Sequence, residues 1–469
     1  MSTATPQQLV EAALSAATTD GTVVIVTDRS EANLRWANSS LTTNGEMSSR
    51  SMTVIATTPS GQGTASGVVD RAVTDLADVR ELVAAAEAAA RQGEPGGDAA
   101  PLVTPEQAPS GSSFELEPEA TSIGAFAGLA ADLGAVLRDS GADRQHFGFA
   151  EQVVDSVYLG SSTGLRLRHV QPTGRLEMNA KNADWSASSY LGFTLRDPSE
   201  ADVVAADAEL AKRLAWAQRS VDLPAGRYET ILPPTALADL VIYAYWLAEA
   251  KAADDGRSAF ARRTGGSRIG DRIARLPIDV YSDPTHTGIQ CAPFVVARAS
   301  TADTSVYDNG LPLTRQDFIR GGELVSLNGS RAYAAASATA GHDTVVRPPG
   351  DNLVVSAPGA TAGLDDLVAS TERGLLLSTM WYIRMVDPQT MLMTGLTRDG
   401  VFLVEGGEVV GAVNNYRWNE SPLDVLDRIT EVGVSERCYP REWGDYFTRT
   451  SMPPVRVEGF NMSSVSQAR

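Results

Sequence analysis

The chain has 469 residues, 43% hydrophobic and 21% charged, with 39 Lys plus Arg against 58 Asp plus Glu and a formal net charge of −19. That is globular composition, with length for roughly two to four domains. So acidic a surface repels phosphate backbones and anionic lipid, which argues against nucleic-acid and membrane partners.

The two cysteines, Cys291 and Cys438, lie far apart and form no Cys-x-x-Cys motif, as expected of a reducing compartment. Residues 1–14 have no basic stretch and no apolar core of signal-peptide length. The most apolar run, residues 241–248, is far shorter than the roughly 20 residues that span a bilayer. A cytoplasmic protein is expected.

In chain order, Leu9, Ala12, Ala13 and Ala16 recur at helical spacing, and the β-branched run over 22–27 reads as a strand. Strands are expected over 35–43, 51–58 and 66–70. The Ala-rich stretch 73–90, with Asp75, Asp78 and Glu81 on one side, predicts a helix packed on those strands. Residues 92–113 are rich in Gly, Pro and Ser and read as a linker or long surface loop. A helix over 123–138, strands over 147–158, 165–170, 175–178 and 184–194, and a helix over 201–219 follow.

From Tyr228 the pattern changes. Residues 230–232 read as a strand, and Pro233-Pro234-Thr235 opens a helix to about 251, with Thr235 as its expected N-cap. Short apolar runs then alternate with Gly, Pro and Asn. Gly406-Gly407 between two valine-rich runs signals a hairpin. Ser421-Pro422-Leu423-Asp424 starts a helix that Gly433 is expected to end. The fold class is α+β: an N-terminal α/β sandwich-like domain, then a larger C-terminal domain of mainly antiparallel strands with a few helices. Boundaries fall at 1–92, a linker at 93–113, a middle α+β region at 114–225, and 226–469.

Chemistry is sparse. None of the four histidines, His146, His169, His286 and His342, lies at the spacing that puts two imidazoles on one helical face. Only a long-range set of His286, His342 and Cys438 is open as a metal site, and scattered side chains are the simpler reading. Gly160-Ser161-Ser162-Thr163-Gly164 matches Gly-x-Ser-x-Gly, but the alternating Leu165-Arg166-Leu167-Arg168 makes it strand–turn–strand, a hairpin and not a nucleophile elbow. Gly61, Gly63 and Gly67 miss dinucleotide spacing. Lys and Arg do not cluster with aromatics in the sequence, and Trp381-Tyr382 reads as part of a core strand.

Within residues 374–422, the runs Gly374-Leu375-Leu376-Leu377, Met385-Val386-Asp387-Pro388, Thr394-Gly395-Leu396-Thr397-Arg398-Asp399-Gly400 and Gly407-Glu408-Val409-Val410-Gly411 stand out, followed by Val413-Asn414-Asn415-Tyr416-Arg417-Trp418-Asn419-Glu420-Ser421-Pro422. This pattern resembles the TldD/PmbA family. The likeness is specific in the C-terminal third and diffuse over the rest. In the TldD branch, the resemblance implies a helix bearing His-Glu-x-x-x-His, with a C-terminal cysteine completing a zinc site whose metal activates water beside the glutamate.

The equivalent helix here is 235–251, and its motif positions read Ile242-Tyr243-Ala244-Tyr245-Trp246-Leu247. Ile242, Tyr243 and Leu247 replace the two histidines and the glutamate, and no other register supplies a histidine. The resemblance is therefore to the PmbA/TldE-like branch. It implies a chain with no catalytic or metal residues of its own, paired with a TldD-like zinc peptidase subunit and enclosing peptide or unfolded-protein substrate. Zinc is expected only in that partner, and the chain alone is expected to form a homodimer if anything. The rival readings are a self-contained hydrolase using Cys438, His286 and His342, and a homodimeric peptide-binding scaffold.

Overall fold

The computed structural model describes residues 4–61, 63–73, 75–111, 113–140, 143–339 and 346–466. The architecture is α+β, as the sequence indicates.

Helix α1 (Pro6–Ala16) opens on a capping box in which Thr5 and Gln8 exchange side-chain and backbone hydrogen bonds. Strands β1 (Gly21–Ala37), β2 (Ser40–Ser60) and β3 (Gly63–Ala72) precede helix α2 (Val79–Gln92). After α3 (Ala127–Asp139) come β4 (Arg144–Ser161), β5 (Arg166–Asn182), β6 (Ser188–Leu195) and α4 (Val203–Trp216). All six strands form one antiparallel sheet in the order β3-β2-β1-β4-β5-β6. Segments 1–92 and 114–225 thus share a sheet, joined where β1 pairs with β4. The described residues between them form no regular secondary structure, yet Val103 is buried there against Val23, Ile25 and Leu159.

These strands are longer than the apolar runs that announce them. The mainly polar residues 28–33 continue β1 without a break, and the expected strand over 35–43 is instead divided by a two-residue turn. Asn38 and Ser39 take φ of 50° and 55° there, the paired left-handed geometry of a tight hairpin. Pro172 suggests a break, but β5 runs through it. Pro172 sits opposite Val154 of β4, and β6 pairs with β5 only from Gly174 onward, so the missing N–H faces an unpaired edge. Helix α2 starts at Val79, after a loop, rather than at Val73.

The C-terminal half opens with β7 (Ser220–Val221) and β8 (Gly226–Leu232), then helices α5 (Pro234–Trp246) and α6 (Ala250–Asp254). Strands β9 (Asp279–Ser282), β10 (Gln316–Arg320), β11 (Glu323–Leu324) and β12 (Leu327–Asn328) lead to α7 (Arg331–Thr339). Next are β13 (Val346–Arg347), β14 (Leu353–Ser356), α8 (Leu364–Ala369), β15 (Arg373–Asp387), β16 (Leu392–Glu405), β17 (Glu408–Val413) and β18 (Tyr416–Glu420). Helix α9 (Pro422–Asp427), β19 (Ile429–Val432), β20 (Glu436–Cys438), β21 (Thr450–Met452) and β22 (Val455–Val465) complete the chain.

Pairings β15–β8–β22–β18–β16 return to β15, so this sheet closes into a small barrel. A second sheet runs β11-β10-β9-β14-β21-β20, and α5 packs between the two against β15, β20 and β21. The Gly406-Gly407 hairpin forms as expected, both residues at positive φ. Helix α9 ends at Asp427 because β19 follows it at once, so Gly433 is not its terminus.

Candidate functional site

Helix α5 begins with Pro234 at its first position after N-cap Pro233, where a proline's missing N–H costs nothing. Thr235 therefore lies inside the first turn and is not the cap. Its hydroxyl instead donates to the Tyr439 carbonyl at 2.6 Å. The helix stops at Trp246. Leu247 is the C-cap, and α6 restarts at Ala250 rather than continuing α5 to 251.

Of the three motif positions, Ile242 is fully buried in the core, whereas Tyr243 and Leu247 are half-buried. Tyr243 meets Trp443 at 5.4 Å and Trp246 at 6.3 Å between ring centroids, and Trp246 meets Trp443 at 5.3 Å. The side of α5 that carries Tyr243 and Trp246 is thus part of an aromatic cluster.

Zinc does not fit this donor set. Ile242 and Leu247 carry no lone pairs, and burial raises the Tyr243 phenol's pKa, so it stays protonated. Cys438, on β20, is buried with its thiol pushed up to about 12 by desolvation, and its Sγ contacts the Thr450 hydroxyl at 3.3 Å. His286 follows β9, with its ring 6.0 Å from Tyr281, and burial lowers its pKa. Strand β9 lies three strand spacings from β20, roughly 14 Å. The loop that carries His286 nevertheless returns toward β20, where the Gly288 carbonyl accepts the Arg437 guanidinium at 3.5 Å, and His342 lies outside the described residues. Among the described residues no three His, Cys, Asp or Glu side chains converge as a metal set.

What the fold does gather around α5 is a relay that residue patterns do not reveal. Asp239 is fully buried, and burial raises its pKa well above the carboxylate range. Its Oδ1 accepts the Glu442 N–H at 3.0 Å, and its backbone carbonyl accepts the Trp443 indole N–H at 2.8 Å. The Glu442 carboxylate in turn accepts the backbone N–H groups of Tyr382 and Ile383, each at 2.9 Å. These lie where the β15–β16 register slips, and Tyr382 takes φ of 56° with its ring 53% exposed. The reading of Trp381-Tyr382 as core strand is thus corrected at Tyr382, because the bulge turns the ring outward. Arg384 stacks over it at 4.2 Å.

Beside the relay, the two halves of the molecule interlock. Arg441 pairs with Glu177 at 3.1 Å and lies over the Tyr190 ring at 3.6 Å and the Trp381 ring at 5.1 Å. Glu177 accepts the Tyr190 hydroxyl at 3.0 Å, and Arg175 donates to the Tyr439 hydroxyl at 3.0 Å. Ser188 of β6 donates to Asp399, another non-glycine residue at positive φ, at 2.8 Å. Arginines and aromatics do cluster here, contrary to the sequence reading. They come from strands far apart in the chain, and each cation has a carboxylate partner beside it, so this is not a phosphate-binding surface.

Comparison with known proteins places the architecture. The chain resembles TldE from Thermococcus kodakarensis with a TM-score of 0.76 at 15% identity, covering 97% of this chain and 98% of that one. It resembles a proposed modulator of DNA gyrase from Thermotoga maritima with a TM-score of 0.71 at 16% identity, covering 94% and 95%. A protein described in the same words from Bacteroides thetaiotaomicron gives 0.75 at 13%, covering 98% of both chains. No curated protein matches the sequence. The model for the PmbA/TldA metallopeptidase C-terminal domain matches residues 225–464, more than half of the chain and the whole barrel-and-α5 region, so the protein belongs to the TldD/PmbA family.

Proposed function

We propose that this chain is the non-catalytic, PmbA/TldE-like subunit of a heteromeric zinc peptidase in the cytoplasm. It pairs with a TldD-like chain that carries the zinc, and it helps wall a chamber in which peptides or unfolded segments are cleaved. The observation that carries the reading is helix α5, where the buried Ile242 and the half-buried Tyr243 and Leu247 stand in place of imidazoles and a carboxylate. These side chains suit packing against other apolar groups, and nothing in the set activates water. Nucleic acid and membrane are not expected as partners. Among the described residues, no helix is long and apolar enough to cross a membrane.

Co-expression with a TldD-like chain bearing His-Glu-x-x-x-His tests the proposal. The expected outcome is a stable complex whose zinc and chelator-sensitive peptidase activity vanish when the partner's histidines are replaced, with no loss of zinc from substitutions in this chain. Stoichiometric zinc and turnover in the purified chain alone would establish the self-contained hydrolase instead.

A further inference from the structure

Helix α4 bridges the six-stranded sheet and the barrel. Its Leu210 and Leu214 pack with Ala150 of β4 and Leu176 of β5. At its C-terminal end Trp216 meets Phe402 of β16 edge to face, with ring centroids 5.2 Å apart.

Beneath α4 lies a charged joint. Arg144 of β4 donates from Nη2 to Asp207 Oδ2 of α4 at 2.8 Å, and His146 Nε2 lies 3.3 Å from Asp207 Oδ1. The His146 ring is fully buried. Its backbone is pinned to the β1–β2 turn, where it accepts the Ser39 N–H at 3.0 Å and donates to the Ser39 hydroxyl at 3.1 Å. Among the described residues, neither His146 ring nitrogen has a hydrogen-bond partner, and neither do the buried Arg144 Nε and Trp36 Nε1. Trp36 pairs with Gly148, which shares a sheet face with His146. Each unpaired buried group costs about 1–3 kcal/mol, so apolar contact holds this layer down against a polar cost.

A single proton shifts that balance. Arg144 and Asp207 already neutralise each other, so a protonated His146 adds a buried charge with no counter-ion of its own. The surrounding elements supply none. Opposite His146, β5 places Ala180, and the neighbouring Lys181 is turned to the other face, over Phe147 and Trp185. On α3, Asp132, Arg138 and Asp139 are exposed, and on α4 Glu209 is taken by Lys212 and Arg213. Burial lowers the His146 pKa, Asp207 acts against that and Arg144 adds to it. Such an imidazole binds its proton more tightly once exposed, so acid drives opening.

We infer that His146 makes this joint an acid-sensitive latch, whose protonation frees α4 from β4 and slackens the hold of the sheet on the barrel. The latch rests on this joint alone and is independent of the zinc-peptidase reading.

Hydrogen exchange of the full-length chain, corrected for the intrinsic pH dependence of amide exchange, tests the latch. Between about pH 7.5 and pH 5.5 the ordinary imidazole pKa of about 6.5 is crossed, so the opening constant of residues 203–216 should rise about tenfold. Exchange in β16 should hold level. His146→Gln takes no proton and should abolish the rise, while His169 and His286, whose pKa values burial also lowers, remain in that variant as controls. Opening of residues 203–216 that is level across the two pH values overturns the inference, as does an equal rise in His146→Gln. Should that variant not fold, the wild type decides by location. A rise confined to α4 and the strands beneath it supports the latch, and a uniform rise along the chain overturns it.

Discussion

Asp239 is the residue whose environment departs most from what a sequence can announce. It is one acid in an apolar helix, and only the packed loop 438–443 reveals that its carboxylate is an acceptor for a backbone N–H. Burial raises its pKa above the unfolded value. Its contribution to stability is therefore fully present below the unfolded pKa, about 3.9, and is lost as pH rises through the folded pKa. Asp239→Asn keeps the acceptor and removes the ionisation. It should exceed wild-type stability at about pH 8 and lose that advantage at about pH 4, as urea melts at the two pH values would show. Asp239→Ala leaves the Glu442 N–H without its partner and should cost about 1–3 kcal/mol at either pH. By contrast, that Ile242 and Leu247 cannot ligate a metal is legible in the sequence, because a metal ligand is a matter of residue type before it is a matter of geometry.

The informative element is the β15–β16 hairpin. Its strands are readable from their apolar alternation, but its irregularity is not, since a bulge arises when two strands are held to unequal lengths by what packs on them. The Glu442 carboxylate fills the place of a pairing strand for Tyr382 and Ile383. Glu442→Ala should cost about 1–3 kcal/mol and speed amide exchange at Tyr382 and Ile383 while leaving exchange in α5 unchanged. Tyr382→Gly should stabilise the bulge by about 1 kcal/mol, because glycine takes the left-handed conformation without the Cβ penalty, and a thermal melt would register the gain.

At the scale of the whole molecule, the six-stranded sheet and the barrel are fastened through Arg441, Glu177, Tyr190 and Arg175. Arg441→Ala removes one cation from Glu177, which keeps Arg175 and the Tyr190 hydroxyl beside it, and should cost about 1–3 kcal/mol. Denaturant unfolding followed by probes in each half should then separate into two transitions where the wild type shows one.

By itself, the sequence determined the α+β class, the helices and hairpins with strong local signals, the likeness to the TldD/PmbA family and the absence of histidine from residues 234–246. Periodicity, turn chemistry and residue type are local, and no distant contact can supply an absent imidazole. The tertiary structure alone decided that residues before and after 93–113 share one sheet, that β1 and β5 run through polar residues and Pro172, and that α5 stops at Trp246. Each of these depends on which strand or loop lies alongside, and a backbone hydrogen bond carries no signature of its partner in the sequence.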